Sequence, residues 1–359
     1  MGKKKICFIS LANLYLCPYI SKYIPLIDCD YDVIYWDRHG VKEDINAKQI
    51  YAFQYKIGEG ISKIKKLIGY LKFRRYAFEV INRNDYDGIV LLQTSSGILL
   101  HSILKKKYKN RYIVDIRDYT MENNPVFLTI EKNLIDNSAL AVISSKGYEN
   151  FLPSHNYTLV HNDSFIDEGI INKFESKERK KDTIVISYIG LIRFHEQNKK
   201  VILKFKNDSR FILRFIGKDA FALKKFCEEN NVCNVELIDM FAPEKTLDYY
   251  YETDIIFNLY GNNTPLLDYA LSNKLYYAAK LKMPILVCAD TYMEEISKGY
   301  GFGFTLILDD PNSCDYLYHF YGKINWRRFY DNCNSFLQKV RDDNLIFENS
   351  IKKFIDNLK

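Results

Sequence analysis

No stretch of the 359 residues approaches the roughly 18 apolar positions that a membrane-spanning helix needs, so the chain reads as soluble or membrane-peripheral. Paired metal-binding cysteines are missing too. The eight cysteines, at 7, 17, 29, 227, 233, 288, 314 and 333, form no CxxC pair and have no His at zinc-finger spacing, which suits reduced, cytosolic thiols and no bound metal. The dinucleotide fingerprint G-x-G-x-x-G is absent from 8–15 (FISLANLY) and 187–194 (SYIGLIRF), and there is no P-loop. NAD enzymes and P-loop ATPases therefore drop out. A G-x-S-x-G elbow and an H-E-x-x-H helix are also lacking, which removes support for hydrolase and zincin chemistry. The charge excess of one sign is slight: 51 Lys plus Arg against 45 Asp plus Glu give +6, too little to mark a nucleic-acid partner.

What is present is an ordinary globular composition, 47% hydrophobic and 27% charged, with an unusual 15% of aromatics supplied mostly by 29 Tyr and 23 Phe. Short apolar runs alternate with helix-length segments, and they do so twice. Strands are predicted at 5–11, 31–36, 51–57, 88–93, 111–116, 140–145 and 157–162, with helices over 59–84 and 96–108. The alternation restarts with strands at 183–190, 210–217, 235–240, 254–260, 284–289 and 303–308, and helices over 218–230, 243–252, 265–282 and 291–298. Continuous Val/Ile/Leu runs between helices indicate parallel sheets covered on both faces, an α/β arrangement of two Rossmann-like domains. The N-terminal MGKKKICFISL reads as a first strand, because no cleavage site follows its apolar run. The expected division is a first domain over 1–172, a polar linker over 173–182, a second domain over 183–330, and terminal helices over 331–359 that are free to pack back on the first domain. Ligands in such folds bind outside the carboxyl ends of the strands, with a cleft between the domains as the default site.

In the second domain, Gly190 at a strand end is followed by Arg193 and then by Lys199 and Lys200 in a helix. A permissive turn, cations and helix N-terminal amides together suit a diphosphate, or else form a plain strand-to-helix turn with solvated bases. Gly217-Lys218-Asp219 repeats the theme. The segment NLYGNNTPLLDYALSNKLYYAAKLKMPILV (258–287) reads as strand, polar loop, helix, turn and strand, offering Gly261, Asn262, Asn263 and Thr264 at a strand end.

The segment SNKLYYAAKLKMPILV resembles the "NKLYEYLALGKPVI" stretch of GT-B fold glycosyltransferases, especially glycosyltransferase family 4 members that build capsular and cell-surface polysaccharides. SYIGLIRFHEQNKKVILKF resembles the same family's "GRL…KG" stretch, and AVISSKGYENFLPSHNYTLVHN its "vS…l…ipN" stretch. The resemblance implies a GT-B fold, two Rossmann-like domains facing each other across a cleft, with a nucleotide sugar on the second domain and an acceptor on the first. It implies diphosphate binding by Arg193 with Lys199 or Lys200, donor binding by Asn273, Lys274 and Leu275 at the start of a helix, and Pro284 at its end; Gly190 and Lys218, in the βα turns, are further donor candidates from the turns themselves. The family's ribose-binding Glu is replaced by Tyr277, and Tyr269 follows Asp268 eight positions earlier, so Asn262, Asn263 or Asn273 is expected to take over.

On the acceptor side, VDIRDYTMEN (114–123) places Asp115, Arg117, Asp118 and Glu122 at the end of a buried strand. If the enzyme inverts, Asp118 is the candidate base on an acceptor hydroxyl, although capping or pairing of both aspartates with Arg117 is the favoured reading. Asn13, Tyr15 and His101 are further candidates, and His161 and His195 flank the inter-domain region. The segment 61–84 carries seven basic side chains against the single Glu79, beside an apolar stripe of Ile61, Ile64, Ile68 and Leu71. It either packs that stripe on the sheet or lies on an anionic membrane.

The resulting expectation is a cytoplasmic glycosyltransferase, peripheral on the inner face of the membrane. It would move a sugar from a nucleotide diphosphate sugar to a lipid-linked saccharide in surface polysaccharide synthesis, with retention, without metal or cofactor. The alternative is a catalytically silent GT-B-like scaffold that partners an active transferase.

Overall fold

The computed structural model describes residues 4–56, 62–178 and 182–358. The chain divides into two compact units, one of residues 1–161 with 342–359, the other of residues 162–341.

The first unit holds seven strands: β1 (Lys5–Ser10), β2 (Asp30–Asp37), β3 (Gln49–Gln54), β4 (Gly88–Leu91), β5 (Tyr112–Ile116), β6 (Leu140–Ile143) and β7 (Thr158–Leu159). They pair in parallel in the order β3-β2-β1-β4-β5-β6-β7. Every residue of β4 and β5 is buried, as expected where helices cover both faces of a parallel sheet. Those helices are α1 (Lys63–Asn84), α2 (Thr94–Lys107) and α3 (Pro125–Asp136). The start of α3 is written locally: the Asn124 side chain accepts from the N–H groups of Val126 and Phe127, and Pro125 follows in the first turn. Ile57 and Ile61, assigned above to a strand and to the apolar stripe, lie outside the described residues.

The second unit alternates α4 (Glu168–Glu175), β8 (Ile184–Ile189), α5 (His195–Lys204), β9 (Phe211–Ile216), α6 (Lys224–Glu229), β10 (Val235–Ile238), α7 (Thr246–Tyr251) and β11 (Ile255–Asn258). It continues with α8 (Pro265–Tyr269), α9 (Asn273–Lys280), β12 (Ile285–Val287), α10 (Tyr292–Gly299), β13 (Gly303–Thr305) and α11 (Ser313–Gly322). Its six strands are parallel in the order β10-β9-β8-β11-β12-β13. The final helix, α12 (Trp326–Asn357), serves both cores in turn. Phe329, Cys333, Phe336 and Val340 join the core of the second unit, and Phe347, Ile351, Phe354 and Ile355 that of the first.

Two sequence readings need correction. Residues 173–175, read as linker, complete α4 instead, because Asp167 caps that helix and Phe174 is buried in the second core; residues 179–181 lie outside the described residues. The single helix expected over 265–282 is broken into α8 and α9, since Ala270 is extended and the Ser272 side chain caps a new start by accepting from the N–H of Lys274. In both sheets the strand order reverses beside the first strand, between β1 and β4 and between β8 and β11. Such reversals open a crevice at the carboxyl edge, and they decide which loops face it.

Candidate functional site

The carboxyl edge of the second sheet is built on three glycines. Gly190, Gly217 and Gly261 follow β8, β9 and β11, all with φ between +105° and +130°, where an L side chain is strained. A Cβ on Gly217 would stand 2.0 Å from the carbonyl oxygen of Gly190, so these two turns pack backbone against backbone. Phe194 is a second strained point. At φ 58° and ψ 46°, a bulky residue occupies the left-handed region, stacked on Tyr260 with ring centroids 5.2 Å apart. It opens α5 with no side-chain cap, which leaves the first amides of that helix for an anion or water.

Lys274 enters this edge from the start of α9. Its ammonium lies 4.9 Å from the Tyr188 ring centroid and 5.6 Å from that of Tyr260, and 4.0 Å from where a Cβ on Gly190 would be. Burial, with the like charge of Arg193 added, pushes this ammonium down to about 8. The backbone N–H of Arg193 donates to the Tyr188 hydroxyl at 3.2 Å, which places the arginine beside the same ring. A buried cation resting on aromatic faces beside glycine turns, with the exposed Arg193 near enough to act on it, forms an arrangement that a bound anion relieves.

The other residues singled out on this unit fall into two groups. Lys199 is committed to Glu196 at 2.7 Å and lies 5.6 Å from the Phe226 ring, whereas Lys200 and Lys218 are exposed. Leu275 is wholly buried in the core beneath α9, and Tyr277 stacks on Tyr250 at 4.9 Å, so both hold the helix by packing. The Asn262 side chain donates to the carbonyl of Ala289 at 3.0 Å and accepts from Asn263 at 2.7 Å, which fixes the loop after β11. Asn273 stands exposed at the first position of α9. His195 is half-buried at the start of α5, and His161, the last residue of the first unit's main segment, pairs with Asp343 at 3.1 Å. Tyr188 and Tyr260 had no sequence signal, being two of 29 tyrosines until the strands place them under Lys274.

At the carboxyl edge of the first sheet, Asp115 is fully buried and takes Arg117 at 2.6 Å and the Tyr23 hydroxyl at 2.6 Å. The Arg117 guanidinium also covers the Tyr19 ring at 4.0 Å. Burial pushes the Asp115 carboxyl up, and Arg117 opposes that rise. Asn13 is buried and donates to Asp37 at 2.9 Å while accepting from the N–H of Arg38. The Tyr15 hydroxyl meets His39 Nδ1 at 2.6 Å, and His101 bonds Asn133 at 2.8 Å between α2 and α3. Asp118 is exposed just beyond β5. Glu131, which the sequence did not flag, is fully buried on α3, and neither carboxyl oxygen has a hydrogen-bond partner among the described residues. Burial, with Glu122 nearby, pushes it up to about 8.

No protein-family model matches the chain, and no curated protein matches it in sequence. Solved structures do match. A sucrose-phosphate synthase from Thermosynechococcus elongatus superposes with a TM-score of 0.70 at 11% identity, over 99% of this chain and 100% of that one. HepE from Anabaena, solved with UDP, gives 0.64 at 12% identity over 97% and 100%. The lipopolysaccharide outer core galactosyltransferase WaaB gives 0.65 at 14% identity over 97% and 99%. The chain thus has the GT-B glycosyltransferase fold, in agreement with the two parallel sheets and the C-terminal helices.

Proposed function

We propose that this protein is a glycosyltransferase that takes a sugar from a nucleoside diphosphate sugar bound at the carboxyl edge of the second sheet. The observation that carries the reading is Lys274 seated on Tyr188 and Tyr260 beside Gly190 and Arg193. As the glycosidic bond to the donor breaks, negative charge grows on the departing diphosphate, and fixed cations stabilise it without rearrangement. Lys274 and Arg193 are the pair for that role, with the uncapped start of α5 adding amide donors. This shifts the second cation from Lys199 or Lys200 to Lys274. These charges supply what a divalent cation would, so the transfer is metal-independent and keeps its rate in chelator. Retention of configuration is the expected outcome, read from the anomeric proton of the product. Asn273 is the residue in position to hold a donor hydroxyl in place of the missing Glu.

HepE has been solved with UDP-glucose as well as with UDP, which makes uridine the first base to test and a hexose the first sugar. The acceptor is a lipid-linked saccharide of surface polysaccharide synthesis, taken by the first unit near Asp118, and the enzyme is peripheral on the cytoplasmic face of the membrane. A catalytically silent scaffold is not favoured, because the glycine turns and the cation pair that a donor needs are retained. A thermal-shift series with UDP, GDP and CMP tests the donor site, since a ligand of the native state raises the midpoint. A shift with UDP that Lys274→Met abolishes supports the reading. No shift with any nucleotide sinks it.

A further inference from the structure

Helix α1 carries two apolar faces, and among the described residues only one of them is buried against the protein. Gly69, Phe73, Ala77, Val80 and Ile81 are buried against the first sheet. Ile64, Leu67, Ile68 and Leu71 repeat at i, i+3, i+4 and i+7 on the roughly opposite side and are 71, 58, 40 and 56% exposed. The stripe read from the sequence therefore does not pack on the sheet. It lies on the face turned away from the sheet, and the first turns of the helix also outrun the strands. A Cβ on Gly69 would meet the Trp36 ring at 2.6 Å, and Trp36 is the next-to-last residue of β2; at the other end of the helix, Asn84 reaches Lys5 at the start of β1. The turns from Lys63 to Ile68 precede the Trp36 contact and continue for about 9 Å beyond it, past the carboxyl edge of the strands.

The overhang is strongly cationic. Residues 62–75 hold Lys63, Lys65, Lys66, Lys72, Arg74 and Arg75 and no acid, while Glu79, a turn further on, pairs with Arg75 at 3.0 Å. Lys65 and Lys72 flank the stripe on one side, Lys63 and Arg74 on the other, by the 3.6-residue period. A protein partner for four exposed aliphatic side chains would need a matching acidic rim. A bilayer with anionic headgroups offers both components at once, with charge at the surface and an apolar layer beneath it. Among the described residues no helix is long and apolar enough to cross a membrane, so attachment through this face is lateral.

We infer that the overhanging first half of α1 is a docking surface for an anionic lipid bilayer, with Ile64, Leu67, Ile68 and Leu71 inserted and the flanking lysines on the headgroups. The overhang lies at the carboxyl-edge end of the first sheet, the same edge that bears Tyr15 and Asp118, so docking there brings that edge near the bilayer. The inference extends the lipid-linked acceptor reading. Vesicle binding and nucleotide binding are separate measurements, so either can fail alone.

The test is co-sedimentation of the full chain with phosphatidylcholine vesicles, with and without phosphatidylglycerol. Binding should require the anionic lipid and weaken with salt. The variant I64S/L67S/I68S/L71S should lose it while keeping its melting temperature and its UDP-induced shift, because none of the four side chains belongs to the buried core. Lys63→Ala/Lys65→Ala/Lys72→Ala should weaken it on the order of a hundredfold, from about fivefold per lysine. Absence of wild-type binding, or full binding by the four-serine variant, overturns the assignment. So does light scattering that shows a wild-type dimer split by those serines, which would give the face to a second copy.

Discussion

The two carboxyl edges of this protein are built from the same strand-and-turn plan and use their polar groups in opposite ways. On the first sheet the acids turn inward: Asp115 onto Arg117 and Tyr23, Asp37 onto Asn13, and Glu122 onto the N–H of Thr120 at 2.6 Å. On the second sheet the cations face glycine turns that leave room for a ligand, with Lys274 resting on rings and not on a carboxylate. Inward pairing makes a rigid floor, whereas a cation lacking a counter-ion makes a binding site.

This contrast can be broken or sharpened by substitution. The largest expected effect is on the first edge, where Arg117→Ala strands the Asp115 charge in the core. A loss of about 3–5 kcal/mol in denaturant unfolding is expected, and a loss under 1 kcal/mol would show that the pair is not structural. Next comes Gly217→Ala on the second edge. The new Cβ collides with the Gly190 carbonyl at a positive φ, which costs on the order of 3 kcal/mol and removes the UDP-induced thermal shift.

Lys274→Met separates the two edges most cleanly. UDP affinity should fall at least tenfold with folding intact, measured by titration calorimetry. Wild-type affinity should also decline as pH rises past about 8, where the free ammonium loses its proton, and the methionine variant should show no such decline. The folding sign is opposite. An unfolded lysine holds its proton to about 10.5, so between about 8 and 10.5 the unfolded chain binds more protons and this residue makes stability rise with pH. Glu131 gives the reverse slope on the first edge. Its carboxyl holds a proton to about 8 when folded, against 4.5 ordinarily, so stability falls as pH rises from about 4.5 to 8, and Glu131→Gln flattens that limb in urea unfolding at several pH values. The smallest effect belongs to Lys199→Ala. The pair with the fully exposed Glu196 is screened by water and contributes little, so UDP affinity should stay within about twofold; a tenfold loss would return the diphosphate role to Lys199.

Much of the architecture was legible in advance. Uninterrupted apolar runs such as GIVL (88–91) form buried parallel strands because helices must cover both faces, and every predicted strand has its counterpart within a few residues. The break between α8 and α9 was missed although its signal was present, a Ser-Asn cap inside a long apolar pattern. The motif around Asn273 and Lys274 was found, but its members were not ranked. Leu275 and Tyr277 are ligand positions by the family resemblance and packing positions in the fold, because one turn of helix carries residues to both sides.

The succession of strands and helices along the chain, turn positions and the cationic character of α1 follow from the sequence itself, since hydrophobic period, capping residues and charge are local properties. Which lysine stands over the glycine turns, and which apolar face of α1 is left uncovered, depended on tertiary structure. Lys274 reaches Tyr188 and Tyr260 only because β8 and β11 pair across the reversal in strand order, bringing together residues more than eighty positions apart. The four aliphatic side chains of α1 stay in solvent because the sheet takes the opposite face of the helix, the one that carries Gly69, Phe73 and Ala77.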